Sequence, residues 1–186
     1  MRVLGISGSL RRGSHNTRLL RAAADLVPPP ASLELFDGLK GVPPYDEDDD
    51  TEPAPRGAAA LRDAIAAADA VLIATPEYNH SVPGQLKNAV DWASRPFPDN
   101  VLRGKPVAVI GASTGMFGAV WAQAELRKSL GAAGARVIDR ELPVPSAELG
   151  AFDERGRLAD PELRVVLEEV LAELVDAADQ RYAAAA

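Results

Sequence analysis

Hydrophobic positions along the chain fall into short unbroken runs that alternate with longer stretches of helical spacing. Met1–Ile6, Ala70–Thr75 ("AVLIAT") and Pro106–Ala112 ("PVAVIGA") are near-continuous apolar runs, the pattern of strands buried on both faces. Ser32–Phe36 ("SLELF") alternates Leu33 and Leu35 against Ser32 and Glu34, and Arg136–Ile138 is a short apolar run that predicts a last strand. Between these, Asn16–Val27 sets Leu19, Leu20, Ala23, Ala24 and Val27 on one helical face, and Pro28–Pro30 stops it. Arg56–Ala68 is alanine-rich and helical, Val82–Ser94 puts Leu86, Val90 and Ala93 on one side, and Ala119–Ala133 predicts a further helix. Pro161–Tyr182 predicts a long amphipathic helix with Leu163, Val166, Leu167, Val170, Leu171 and Leu174 inward. No internal repeat is visible.

Strands alternating with helices predict βαβ units around a parallel sheet covered on both faces. The length of 186 residues suits a single domain over 1–186, large enough to bury a core without metals or disulfides. Ligands of such sheets bind beyond the carboxyl ends of the strands. Three loops with unusual chemistry follow such ends: Ser7–His15, Pro76–Pro83 and Ser113–Gly118.

Composition then removes alternatives. There is no cysteine, which excludes disulfides, thiolate nucleophiles, iron–sulfur clusters and cysteine-ligated zinc. Two histidines, His15 and His80, argue against a histidine-rich metal site. The net charge of −7 argues against nucleic acid or an anionic membrane as the main partner, though not against a local anion site. No apolar stretch approaches the ~18–20 residues of a membrane span, and the N-terminus turns polar too soon for a secretory signal. A soluble cytoplasmic protein is expected. The acidic run "DEDDDTE" (Asp46–Glu52) lies in the long connection Gly38–Pro55 and reads as a solvated loop, with Tyr45 beside it able to reach a neighbouring pocket.

The first loop, "GSLRRGSHN" (Gly8–Asn16), spaces Gly8 and Gly13 like a Walker A motif but has Ser14 and His15 where lysine and hydroxyl belong. It lacks the G-x-G-x-x-G of dinucleotide folds, so Asp37 after the second strand is only a weak ribose ligand. What remains is a hydroxyl-rich loop feeding a helix N-terminus. The hydroxyls of Ser9, Ser14 and Thr17, the guanidinium of Arg11 and the backbone N–H groups favour a phosphate monoester. The plainer reading is a βα turn capped by Ser14 or Asn16. Ser7–His15 is nine residues, however, where about 2–6 is usual.

In the second loop, Tyr78 and His80 offer flat surfaces for a planar ligand. Glu77, Asn79 and Ser81 hold backbone geometry, and Pro83 suits a helix start. No carboxylate partner for His80 is evident from spacing, so it is not assigned as a base. The third loop carries Gly111, Gly115 and Gly118, which suit close backbone approach to a ligand or a flexible connection equally.

Taken together, "GSLRRGSHN", "TPEYNHSVPGQLKNAVDW" and "GASTGMFGA…AELR" resemble the NADPH-dependent FMN reductase family, nearest its chromate- and quinone-reductase branch, which borders on FMN-dependent azoreductases. The likeness runs from Met1 to about Leu142. It implies a flavodoxin-like three-layer α/β sandwich: a five-stranded parallel sheet of order 2-1-3-4-5, helices on both faces, FMN across the strand ends. It further implies that Ser9, Arg11, Ser14, Asn16 and Thr17 hold the FMN phosphate. Pro76, Glu77, Tyr78 and Asn79, with His80 beside them, meet the flavin ring, and Ser113, Thr114 and Gly115 its other side. Relatives of this kind are usually homodimers or homotetramers joined through the helices after the second and third loops. Leu86, Val90 and Trp92 suit that interface or an ordinary core. Many relatives have Gly-Gly where this chain has Gly118-Ala119, and some have an aromatic or histidine at Glu125.

The implied activity is ping-pong transfer of hydride from NADPH or NADH to FMN, then to a small-molecule acceptor such as a quinone, free flavin, azo compound or chromate. The cofactor carries that chemistry, so no catalytic side chain and no metal is expected. Two alternatives stay open: an FMN-binding electron-transfer or regulatory protein without NAD(P)H turnover, and a nucleotide-binding module using Asp37.

Overall fold

A computed structural model describes residues 1–185. The chain forms β1 (Arg2–Ser7), α1 (His15–Ala24), β2 (Ser32–Phe36), α2 (Arg56–Ala67), β3 (Ala70–Thr75), α3 (Gly84–Ala93), β4 (Pro106–Ala112), α4 (Val120–Ala132), β5 (Arg136–Val137), β6 (Pro143–Val144) and α5 (Pro161–Ala185). The sheet is parallel in the order β2-β1-β3-β4-β5, as the alternation of runs and helices and the family resemblance imply.

Strand periodicity sorts the two cores. In β3, Ala70, Leu72 and Ala74 face one layer while Val71 and Ile73 face the other; in β4, Ala108, Ile110 and Ala112 oppose Val107 and Val109. The first layer is closed by Leu19, Leu20 and Ala23 of α1 and by Leu167, Val170, Leu171 and Leu174 of α5. The second is closed by Leu61 and Ile65 of α2, Leu86, Val90 and Trp92 of α3, and Leu126 and Leu130 of α4. Every residue of β3 and β4 is buried, whereas β2 is an edge strand with Leu35 partly exposed. At about 1.5–3 kcal/mol per buried large aliphatic side chain, these two layers supply most of the drive to fold.

Leu86, Val90 and Trp92 are therefore core residues, and the indole N–H of Trp92 donates to the Pro43 carbonyl (2.9 Å). Tyr45 packs against α3. Its ring stands edge-on to Trp92 at 5.0 Å, because the Gly38–Pro55 connection is pinned to α3 by Asn88 and Gln85. Within the acidic run, Asp50 pairs with Arg62 of α2 at 2.7 Å, and the remainder is largely exposed.

The fifth strand departs from the expected single segment. β5 pairs with the start of β4, and β6 pairs with its end through Gly111↔Pro143 and Ala112↔Val144. The polar excursion between them, "DRE" (Asp139–Glu141), lets Arg140 pair with Glu169 and Glu173 of α5 and Glu141 pair with Arg127 of α4. A sheet of six strands results, with the carboxyl edge of β4 extended toward the ligand loops.

Candidate flavin site

The three loops converge. Ser9, Arg11, Ser14, His15 and Asn16 of the first, Pro76, Glu77 and Tyr78 of the second, and Ala112, Ser113 and Thr114 of the third line one cleft with Glu148.

The first loop is tied to the sheet by Gly8, whose N–H donates to the Ala74 carbonyl at 2.8 Å. A Cβ on Gly8 would lie 2.6 Å from the Leu86 side chain, so only glycine lets the loop cross this tightly packed corner. Ser14 is the N-cap of α1, its Oγ accepting from the Thr17 N–H (3.2 Å). The free backbone N–H groups of the first turn then point out of the helix end, which favours an anion there. Arg11 is exposed and available to it.

Asn16 does different work. Its buried amide donates to the Ala112 carbonyl and accepts from the Ala112 N–H, both at 2.9 Å. The side chain thus braces α1 against the end of β4 and satisfies two buried backbone groups. Thr17 donates to Ser7 Oγ (2.9 Å) and lines a second cleft behind the loop, with Arg21, Asp37 and Lys40. Asp37 is therefore not in the cleft that joins the three loops.

The second loop is a two-residue hairpin. Tyr78 and Ser81 exchange backbone hydrogen bonds of 3.2 and 3.1 Å, and Asn79 and His80 between them have φ of +54° and +58°. That is the left-handed pair of a type I′ turn, where Asn and His are among the more tolerant residues. The turn places Asn79 and His80 at the rim, above rather than within the cleft. Glu77 anchors it: Oε2 accepts from the Ala122 N–H in the first turn of α4 (3.1 Å). Glu77 Oε1 also lies 3.7 Å from His80 Nδ1, so the hairpin supplies the carboxylate neighbour that spacing did not reveal.

The third loop is shaped by Gly118 at φ +58°, where a Cβ would strike Pro143 and Val144 backbone atoms at 2.6 Å. Gln123, fully buried, donates to the Gly118 carbonyl (3.0 Å) and accepts from the Leu142 N–H (3.4 Å). Gly115 accepts from the Ser146 N–H (3.0 Å), so the loop leans on the segment after β6. Beyond it stands an exposed aromatic ledge: Trp121 meets His80 edge-on at 4.5 Å and Phe117 at 5.0 Å, with Met116 73% exposed nearby.

Sequence reasoning missed three contributors. His15 lies inside the quoted loop but was weighed only as a metal ligand or a Walker position. Glu148 arrives on the segment after β6, which carries no motif, and the ledge pair Phe117–Trp121 needs the helix start to be known. The hydroxyls, single guanidinium and helix end fit a phosphate monoester, and the proline, tyrosine and backbone edges beside them fit a planar ring.

The model of the family described as NADPH-dependent FMN reductase matches residues 1–148. The chain is 46% identical over 171 residues to an NAD(P)H-dependent FMN reductase of Pseudomonas aeruginosa, covering 92% of this chain and 91% of that one. It is 47% identical over 127 residues to a 2-hydroxy-1,4-benzoquinone reductase of a Burkholderia species, covering 68% of each. Among solved structures, a flavoenzyme NAD(P)H:(acceptor) oxidoreductase from Paracoccus denitrificans superposes with a TM-score of 0.84 at 35% identity, covering 96% of this chain and 97% of that one. The chain belongs to the NADPH-dependent FMN reductase family.

Proposed function

We propose that the protein is an FMN-dependent NAD(P)H oxidoreductase that reduces quinones and related small planar acceptors by a ping-pong sequence. The observation that carries this reading is the convergence of a phosphate-type loop and two ring-type loops on one cleft. Ser9, Arg11 and the first turn of α1 hold the phosphate end. Pro76, Glu77, Tyr78, Ser113 and Thr114 flank the ring, with Asn79 and His80 at the rim. Backbone N–H groups of the loops stabilise negative charge on the reduced ring. When bound, the flavin supplies the two-electron chemistry, and the protein orients it.

Tyr78 and the ledge of His80, Phe117 and Trp121 leave one side open and apolar, suited to nicotinamide and acceptor in turn. Free flavin, azo compounds and chromate are further acceptors on this reading. Homodimers or homotetramers are the expected assembly. No described helix is long and apolar enough to cross a membrane.

The test is reconstitution. Purified protein should bind FMN, and NADPH or NADH should bleach it under anaerobic conditions, with colour returning on addition of a quinone. Parallel double-reciprocal plots with the two substrates support the ping-pong order, and intersecting plots overturn it. Bound FMN that neither nicotinamide bleaches leaves the electron-transfer alternative in place of the reductase.

A further inference from the structure

His15 is the first residue of α1, at the wall of the cleft, and its side chain is only 13% exposed. Neither ring nitrogen has a hydrogen-bond partner, although both are buried. A neutral imidazole has one N–H to give and one lone pair to fill, and buried polar atoms of this kind are ordinarily paired. Glu148 Oε1 lies 3.9 Å from Nε2, within ion-pair reach but beyond hydrogen-bonding distance. His15 is thus a donor held at an anion cradle with nothing to donate to.

The charges facing the ring are Arg11 from the loop, Arg18 from α1 and Glu148 from the segment after β6. Burial first, then the two cations, hold the imidazole below its ordinary value, with Glu148 opposing them. A phosphate dianion arriving between the loop and the helix end reverses that balance.

We propose that His15 is a proton-linked phosphate ligand: its imidazole turns from Glu148 to give an N–H to the phosphate monoester and takes up a proton as the ligand enters. The proposal rests on the FMN reading above. It makes phosphate affinity depend on pH, because the ligand favours the protonated ring that burial and the neighbouring cations disfavour without it. Glu148, on the segment that also braces the third loop, is the resting partner the phosphate displaces.

The decisive measurement is the titration of the imidazole itself. Two histidines give two sets of nitrogen-15 ring signals, and His15→Phe identifies which set is lost. Without ligand His15 should titrate below the ordinary histidine value. With saturating FMN it should rise by a unit or more, and inorganic phosphate alone should move it the same way. Riboflavin, which has the ring but no phosphate, should leave it in place. Calorimetry at pH 7.5, where a phosphate monoester is already almost fully ionised, should show proton uptake on binding FMN. His15→Gln, which keeps a donor but cannot take a proton, should abolish that uptake and weaken FMN about tenfold, leaving riboflavin binding unchanged.

If FMN binds but the His15 titration does not move and no proton is taken up, the proposal falls while the oxidoreductase reading stands. If FMN does not bind at all, both fall. If the His15 titration moves equally with riboflavin, the imidazole answers to ring burial and the phosphate role is overturned.

Discussion

The two ends of the sheet are built to opposite rules. At the amino end, polar groups that are buried are also satisfied. Lys105, 3% exposed, donates from Nζ to the Ala66 and Ala68 carbonyls at the end of α2. Asn100 donates to the Ala133 carbonyl and accepts from the Leu102 N–H. At the carboxyl end, the backbone is strained at Asn79, His80 and Ala119, aromatic rings face outward, and both His15 nitrogens lack partners. Beneath that layer, however, Asn16, Thr75 and Gln123 are as fully paired as anything at the other end. These strained and unpaired groups rest on a hydrogen-bonded layer, which is how a stable sheet carries local strain.

Breaking that second layer should produce the largest effect. Asn16→Ala removes partners from both the N–H and the carbonyl of buried Ala112. Each group left unmet costs about 1–3 kcal/mol, so urea unfolding should show a loss of ~2–5 kcal/mol. Flavin binding should weaken as a consequence of the displaced helix end. Unchanged stability with weakened FMN binding would instead make Asn16 a direct phosphate ligand, the role its family resemblance implies.

At the amino end the contrast sharpens through pH. Burial, with Arg181 adding to it and Asp69 opposing it, pushes the Lys105 ammonium down from 10.5 to about 8. The unfolded chain then binds the extra proton between those values, so stability rises as pH climbs through that window. The gain is of the order of 2–3 kcal/mol at most. Measured against Lys105→Met, whose curve lacks this proton, wild type should gain stability from pH 8 to pH 10. Parallel curves would mean that the two carbonyls keep the ammonium charged despite its burial.

What the chain's pattern revealed follows the same division. Ser32–Phe36, Ala70–Thr75 and Pro106–Ala112 were legible to the residue, the last two as apolar runs bounded by turn residues and the first by the alternation of an edge strand. β6 was not legible. Pro143–Val144 is too short to show a period, and its pairing with Gly111 and Ala112 of β4 appears only in the fold. In the site, hydroxyls and glycines marked which loops matter but not which way side chains turn. Asn16 braces Ala112 as well as lining the cleft, and Thr17 faces the neighbouring cleft. Asn79 and His80 sit on a hairpin tip that only backbone dihedrals disclose.

Arg11 tests the exposed layer without touching the braced one. Arg11→Ala should weaken FMN by roughly 10–100-fold, the worth of a charge-assisted hydrogen bond of about 1.5–3 kcal/mol, with thermal stability unchanged. Arg12→Ala, one residue along but outside the cleft lining, is the control and should bind FMN as wild type does. Equal losses at both positions would reduce the contribution to general electrostatic attraction.

The smallest effect concerns the strain itself. Ala119 is the N-cap of α4 in the left-handed region, φ +65° and ψ +34°. A non-glycine residue there costs about 1–2 kcal/mol, and Ala119→Gly would relieve it. The same change removes a fully buried methyl worth ~0.8 kcal/mol. The net should be a gain of at most about 1 kcal/mol, seen as a small upward shift in melting temperature. A loss instead would show that the Ala119 methyl is needed where it packs near Gly111, holding the start of α4 against β4 and so fixing the third loop.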